Sequence, residues 1–298
     1  METLVAVTDW LAAPLTYGFM QRGLLASLMV GVLCSVVGCY VVLRSMAFLG
    51  DALAHAILPG VAIAYLLKGN LVVGALVAAI VVALAIGFFS RQGTIKEDTA
   101  IGILFAAALS LGVAMISTIK TYAVDLTHIL FGNVLGVSSG DLVLIGLLGV
   151  GVLIVIVVLY KELLVVSFDP VLASTLRLPV EALRNLMLVL LAVTIVVSLQ
   201  IVGVGLVAAM LVTPAATAFL LTRRLPTMMA IAALIGAFSS LAGLYVSFYI
   251  KVASGAAVVL VATAIFLIVF LFAPQRGLIW TRLALRRAGT ERQPGGPT

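Results

Sequence analysis

Between Leu186 and Thr222 the chain runs 37 residues without a charged side chain, too long for one membrane helix and far too apolar for a soluble one. About 20 residues of helix cross the roughly 30 Å of hydrocarbon in a bilayer. The run is therefore expected to divide, and the polar, glycine-bearing step Gln200-Ile201-Val202-Gly203-Val204-Gly205 is where a break belongs. Uncharged runs of single-span length recur along the rest of the sequence. With 298 residues, 64% hydrophobic and only 9% charged, at a mean hydropathy of +1.34, the chain lacks the polar surface to coat a soluble globule. Barrel strands would be shorter and half polar. The expected fold is an all-α membrane protein, a polytopic bundle of about nine transmembrane helices in one transmembrane domain over 1–298, with spans at 23–43, 45–67, 71–90, 99–119, 142–160, 186–200, 204–222, 227–250 and 255–272.

The net charge of +6 and pI near 9.6 point to topology, because the basic residues lie singly between apolar spans and then gather in a tail over 276–298. No nucleic-acid partner is expected. Lysine and arginine favour the cytoplasmic side. With the C-terminus inside, only Arg22, Lys68, Lys120 and Lys251 of the 17 basic residues fall on the other face, and nine spans then leave the N-terminus outside. The first long apolar run begins after Arg22 and flows into further spans, so it reads as a retained helix and not a cleaved signal. Cys34 and Cys39 match neither a disulfide framework nor a zinc motif and read as packing residues.

Inside the second span the sequence LGDALAHAILPG places Asp51 and His55 four residues apart. On a helix the two side chains share one face, about a turn apart. Ionisable groups in hydrocarbon are costly and commonly line an aqueous pathway or the bundle interior. A carboxylate and an imidazole presented together are ligands for manganese, iron or zinc; the bland alternative is a helix cap and a histidine bonded to a backbone carbonyl. With the helix starting near Arg44, a rise of about 1.5 Å per residue puts Asp51 about 10 Å and His55 about 16 Å into the membrane. Pro59-Gly60 follows, a step that kinks a membrane helix and frees backbone carbonyls toward a cavity.

The stretch from Lys161 to Asn185 is the longest polar insertion between spans. Asp169-Pro170 has the form of a helix start, after which Val171, Leu172 and Leu176 make one apolar face. It reads equally as a surface connector or as a coupling helix for a cytoplasmic partner. Thr94-Ile95-Lys96-Glu97 fits a capping box for a helix beginning near Thr99. Asp125 and His128 fall in an outer loop that is expected to be solvated, although the pair has the chemistry to hold an entering cation. Thr213-Pro214-Ala215-Ala216-Thr217-Ala218 predicts a bend and close packing. Neither a P-loop nor an H-E-x-x-H helix occurs, and Asp51 is the only acid deep in a span, which opposes an intramembrane protease.

The strings GDALAHAILPGVA at 50–62, KEDTAIGILF at 96–105, ILFGNVLGVSSGD at 129–141, FDP at 168–170, QIVGVGLVAAMLVTPAATA at 200–218 and FLFAPQRGL at 270–278 together resemble the permease family of ATP-driven manganese, zinc and iron importers, a family of type II ABC importer permeases. The resemblance implies a multi-pass subunit of the bacterial inner membrane without its own ATPase. It implies a homodimer, a cytoplasmic ATPase subunit and an extracytoplasmic metal-binding protein as partners. It also implies Asp51 and His55 as ligands of the transported metal, two pairs across the dimer giving four, with no permanently bound cofactor. Asp169, Pro170 and Ala173 would belong to the coupling element. One departure is Arg177, where the family commonly has glycine; a left-handed helix exit favours glycine, so Arg177 is expected to give the short helix a different exit. The expected function is import of a divalent metal, manganese foremost and zinc or ferrous iron as alternatives. Acid pH is expected to weaken it by protonating the ligands. A proton-coupled secondary transporter using Asp51 and His55 as a relay is the rival.

Overall fold

The computed structural model describes residues 12–91, 96–118 and 134–273. Thr94, Asp125, His128 and the tail arginines from Arg276 onward lie outside the described residues. After a 3-10 turn, Ala13–Thr16, the elements are α1 (Gly18–Leu43), α2 (Ala47–Ala56), α3 (Leu58–Leu66), α4 (Leu71–Arg91), α5 (Glu97–Ser117), α6 (Ser139–Val158), α7 (Tyr160–Phe168), α8 (Pro170–Thr175), α9 (Val180–Val202), α10 (Val204–Leu221), α11 (Leu225–Ile250) and α12 (Ser254–Phe272), with a 3-10 turn at Val134–Gly136 before α6. Among the described residues eight stretches are long and apolar enough to cross a membrane, α2 and α3 counting together as Ala47–Leu66. A shorter apolar helix, Val207–Leu221, lies within α10.

Helix α1 begins at Gly18, five residues before the expected span, with the Arg22 guanidinium donating to the Gly18 carbonyl at 3.3 Å. An arginine near a helix end does not stop the helix, because its stem lies along the helix while its head reaches polar surroundings. The 37-residue uncharged run divides at Gly203, whose φ of 82° is a left-handed conformation suited to glycine. The stretch 161–185 is helical over most of its length, and α9 begins at Val180. The helix expected to begin near Thr99 begins two residues earlier, while Thr94 of its expected capping box lies outside the described residues. Helix α5 starts at Glu97, Lys96 occupies the N-cap without a side-chain bond, and Glu97 therefore stands at the first helical position instead of the third. A reciprocal box forms elsewhere: Ser138 Oγ accepts from the Asp141 amide and Asp141 Oδ2 accepts from the Ser138 amide at 2.9 Å.

The N-terminal helix α1 is the centre of the bundle, packed by α6, α9, α10 and α11. In this span, as in that of α2 and α3, 72% of the apolar stretch is buried, against 17% for α5 and 22% for α6 and α12. Small residues permit these approaches, as is usual where lipid supplies no drive for one helix to bury against another. A β-carbon at Gly31 would collide with the Gly236 carbonyl, one at Gly38 with the Leu211 carbonyl, and one at Gly60 with the Gly74 carbonyl. Between α1 and α9, Cys34 Sγ lies 3.1 Å from Ser198 Oγ, and both cysteines are free and buried. At one end of the bundle α4 and α9 are tied by Arg91 Nε to Glu181 Oε1 at 2.7 Å and by Arg184 to the Ser90 hydroxyl.

Candidate metal site

The chain turns sharply from α1 into α2. Ser45 adopts a left-handed φ of 56°, and the Met46 amide reaches back to the Val41 carbonyl at 3.0 Å. Helix α2 then presents one packed face, with Leu49, Gly50, Leu53 and Ala54 buried, and Gly50 faces Ala208 and Leu211 of α10. Phe48, Asp51 and His55 lie on the other side, at positions i, i+3 and i+7 of one helical face.

Asp51 Oδ1 and His55 Nε2 are 3.7 Å apart, with side chains 41% and 29% exposed. That separation is beyond hydrogen-bond range. It is within the reach of two metal bonds of about 2.0–2.2 Å each, so one cation fits between the two atoms. Helix α2 stops at Ala56 and α3 begins at Leu58. The cause is Pro59: it has no amide hydrogen to give the carbonyl four residues back, which is that of His55. The amide of Ile57 approaches that carbonyl instead. The break thus falls two residues before the proline, beside the imidazole.

Among the described residues no group of three or more His, Cys, Asp or Glu side chains comes together. One chain therefore offers two side-chain ligands on an open helix face, while the metals that suit them take four to six. On the Pro59 side of His55, α3, α4 and α5 enclose an apolar groove of about 570 Å³ whose lining includes Pro59, Ile63 and Leu111. Sequence reasoning missed Phe105 of α5, whose ring centroid lies 5.9 Å from that of His55 and 5.9 Å from that of Phe48. Its string, 96–105, carried a resemblance but no hint of this contact.

At α8, Asp169 Oδ1 accepts from the amides of Val171 at 3.0 Å and Leu172 at 2.9 Å, and Pro170 occupies the first helical position. Ala173 is fully buried, while Val171, Leu172 and Leu176 are exposed. The exit expected to differ at Arg177 does not. Arg177 takes the left-handed conformation itself, at φ 56°, because the backbone bonds around it outweigh the local cost of its β-carbon. Beside this helix an open groove of about 490 Å³ is lined by Phe168, Asp169, Leu172, Arg223 and Arg224 among others.

The family model described as the ABC 3 transport family matches residues 16–273, nearly the whole described chain. The chain belongs to the ABC 3 transport family. The manganese transport system membrane protein MntC of Halalkalibacterium halodurans is 47% identical over 265 residues, covering 89% of this chain and 91% of that protein. The manganese import system permease protein ScaB of Streptococcus parasanguinis is 40% identical over 270 residues, covering 91% and 96%. PsaBC from Streptococcus pneumoniae, solved in complex with Fab, superimposes with a TM-score of 0.82 at 37% identity, over 94% of this chain and 99% of the PsaBC chain. This ABC 3 chain is thus a multi-span membrane protein, all-helical among its described residues, that matches its relatives along nearly their full lengths.

Proposed function

We propose that this chain is the membrane-spanning subunit of an ATP-driven importer whose cargo is manganese, with Asp51 and His55 as ligands of the ion in transit. The observation that carries this reading is the placement of the pair: two ionisable side chains, partly exposed, side by side on an open face of a helix that belongs to a membrane span. Facing lipid, such a pair is costly. Facing a second copy of the chain across a two-fold axis, it meets its own equivalent, and two carboxylates and two imidazoles suit a divalent ion of manganese or iron type. Membership of the ABC 3 family and the manganese names of its relatives support both cargo and energy source.

In this reading a metal-binding protein outside the membrane delivers the ion, a cytoplasmic ATPase subunit supplies the energy, and the exposed side of α8, capped by Asp169 and Pro170 and seated on Ala173, transmits the motion. The C-terminus faces the cytoplasm and the N-terminus the outside.

Uptake of radioactive manganese by cells expressing the chain with its partners tests the proposal. Uptake is expected to need the ATPase, to fall to background in Asp51→Ala and His55→Ala forms that still reach the membrane, and to resist excess zinc. Wild-type uptake in both variants overturns the site, uptake without the ATPase overturns the energy source, and strong competition by zinc or ferrous iron overturns manganese as the cargo.

A further inference from the structure

We infer that Phe105, on a different helix from the ligands, is the positioning residue that holds the His55 imidazole in its metal-binding orientation. The inference rests on the reading of Asp51 and His55 as ligands and extends it to a residue that does not touch the ion.

A histidine side chain is soft about its last torsion, where tilts of the ring well apart from one another differ little in energy. For His55 the difference is chemical. In the present tilt Nε2 stands 3.7 Å from Asp51 Oδ1; rotation of the ring out of this plane swings Nε2 away from the carboxylate and out of the shared site. Metal-binding histidines are usually kept from turning by a hydrogen bond from the other ring nitrogen to a carbonyl or carboxylate. The described contacts of the His55 ring are with Asp51, too far for a hydrogen bond, and with Phe105.

Phe105 supplies a steric substitute. Its ring is tilted 60° to the imidazole at a centroid distance of 5.9 Å, and it is locked in turn by an edge-to-face contact with Phe48 at 5.9 Å and 85°, an arrangement favoured between aromatic rings. Phe48 and His55 lie seven residues apart on α2 with Asp51 between them, so Phe105 spans the turn that carries the carboxylate. It walls the pair on the α5 side and leaves the other side open for the remaining ligands. The ring also keeps water from the imidazole on that side, which strengthens attraction to a cation.

The wall has a consequence for selectivity. Raw affinity of a nitrogen and oxygen site favours zinc over manganese, so a site for manganese discriminates by geometry. A histidine free to turn relaxes that geometry.

The test compares manganese uptake by the assembled transporter carrying Phe105→Ala, Phe105→Leu or Phe105→Tyr, with Asp51→Ala in parallel, and with zinc as competitor. Removing an orienting partner of a metal ligand costs 10- to 100-fold in affinity. The Ala and Leu forms are therefore expected to need about 10-fold more manganese for half-maximal uptake, with the maximal rate within about twofold of the wild type and with stronger inhibition by zinc. The Tyr form, which keeps the ring, is expected to restore both. If the Ala form fails to assemble, the Leu and Tyr pair decides the matter. A Leu form with wild-type half-saturation and zinc sensitivity, or one that loses only maximal rate, overturns the positioning role while Asp51→Ala remains inactive. Full uptake by Asp51→Ala overturns the positioning role together with the site it serves.

Discussion

The amide of Leu178 reaches back to the carbonyl of Ala173 at 3.1 Å, across a left-handed Arg177 whose own amide bonds the Ser174 carbonyl at 3.0 Å. These two bonds close α8 in the manner that helices ordinarily close on glycine, so the position is strained by its side chain. Arg177→Gly is expected to stabilise the segment by about 1 kcal/mol, the cost of a left-handed residue that carries a β-carbon. Hydrogen exchange at the Leu178 amide then slows about fivefold. An unchanged rate would show that the arginine makes good its strain through its side chain.

Asp169 separates a cap from a charge. Its Oδ1 accepts both of the first free amides of α8, and asparagine caps about as well as aspartate whereas alanine does not. Asp169→Ala is expected to cost about 1 kcal/mol of local stability and to lower uptake, with metal affinity at the Asp51 site unchanged. Asp169→Asn stays close to wild type in both. An Asn form as defective as Ala would assign the role to the negative charge.

Asp51 and His55 are expected to behave as one unit. Each single substitution already leaves the shared ion without a ligand, so the double Ala variant should bind manganese no more weakly than the worse single one, a departure from additivity of the kind seen between contacting residues. Calorimetry on the purified, reconstituted transporter measures it. Additive losses would mean two separate sites.

Gly60 and Gly74 bring α3 and α4 into backbone contact. Gly74→Leu is expected to destabilise the bundle by about 1–3 kcal/mol by overpacking, seen as a lower melting temperature of the detergent-purified chain. An equal melting temperature would show that α4 shifts freely away from α3.

The Arg91 to Glu181 ion pair is short, at 2.7 Å, yet its side chains are 64% and 58% exposed. Exposed pairs contribute little. Arg91→Ala is expected to leave melting and uptake unchanged to within about 0.5 kcal/mol, and a larger loss in either would give this end of the bundle a function of its own.

Much of the architecture is legible in sequence because transfer into a bilayer is a local property. Twenty apolar residues suffice to announce a helix whatever surrounds them, and the turn of a helix alone brings Asp51 beside His55. Asp169-Pro170 is equally local, since a cap and a proline at the first helical position act within one turn. Packing is another matter. A span that touches lipid on one side and protein on the other is apolar on both, so no stripe marks the face it buries. That the N-terminal helix α1 is the core, and that Gly31 meets Gly236 some two hundred residues later, followed only from the assembled bundle. The same holds for the exit at Arg177, where two backbone bonds within its own turn, to the Ser174 and Ala173 carbonyls, overrode a residue preference. It holds above all for Phe105, fifty residues from His55 in sequence and 5.9 Å away in space. The sequence by itself determined the membrane class, the helices and the two ionisable side chains on one turn. Only the tertiary structure decided which faces close and what stands against the imidazole, because those depend on shape complementarity between distant segments and not on the transfer free energy of any one of them.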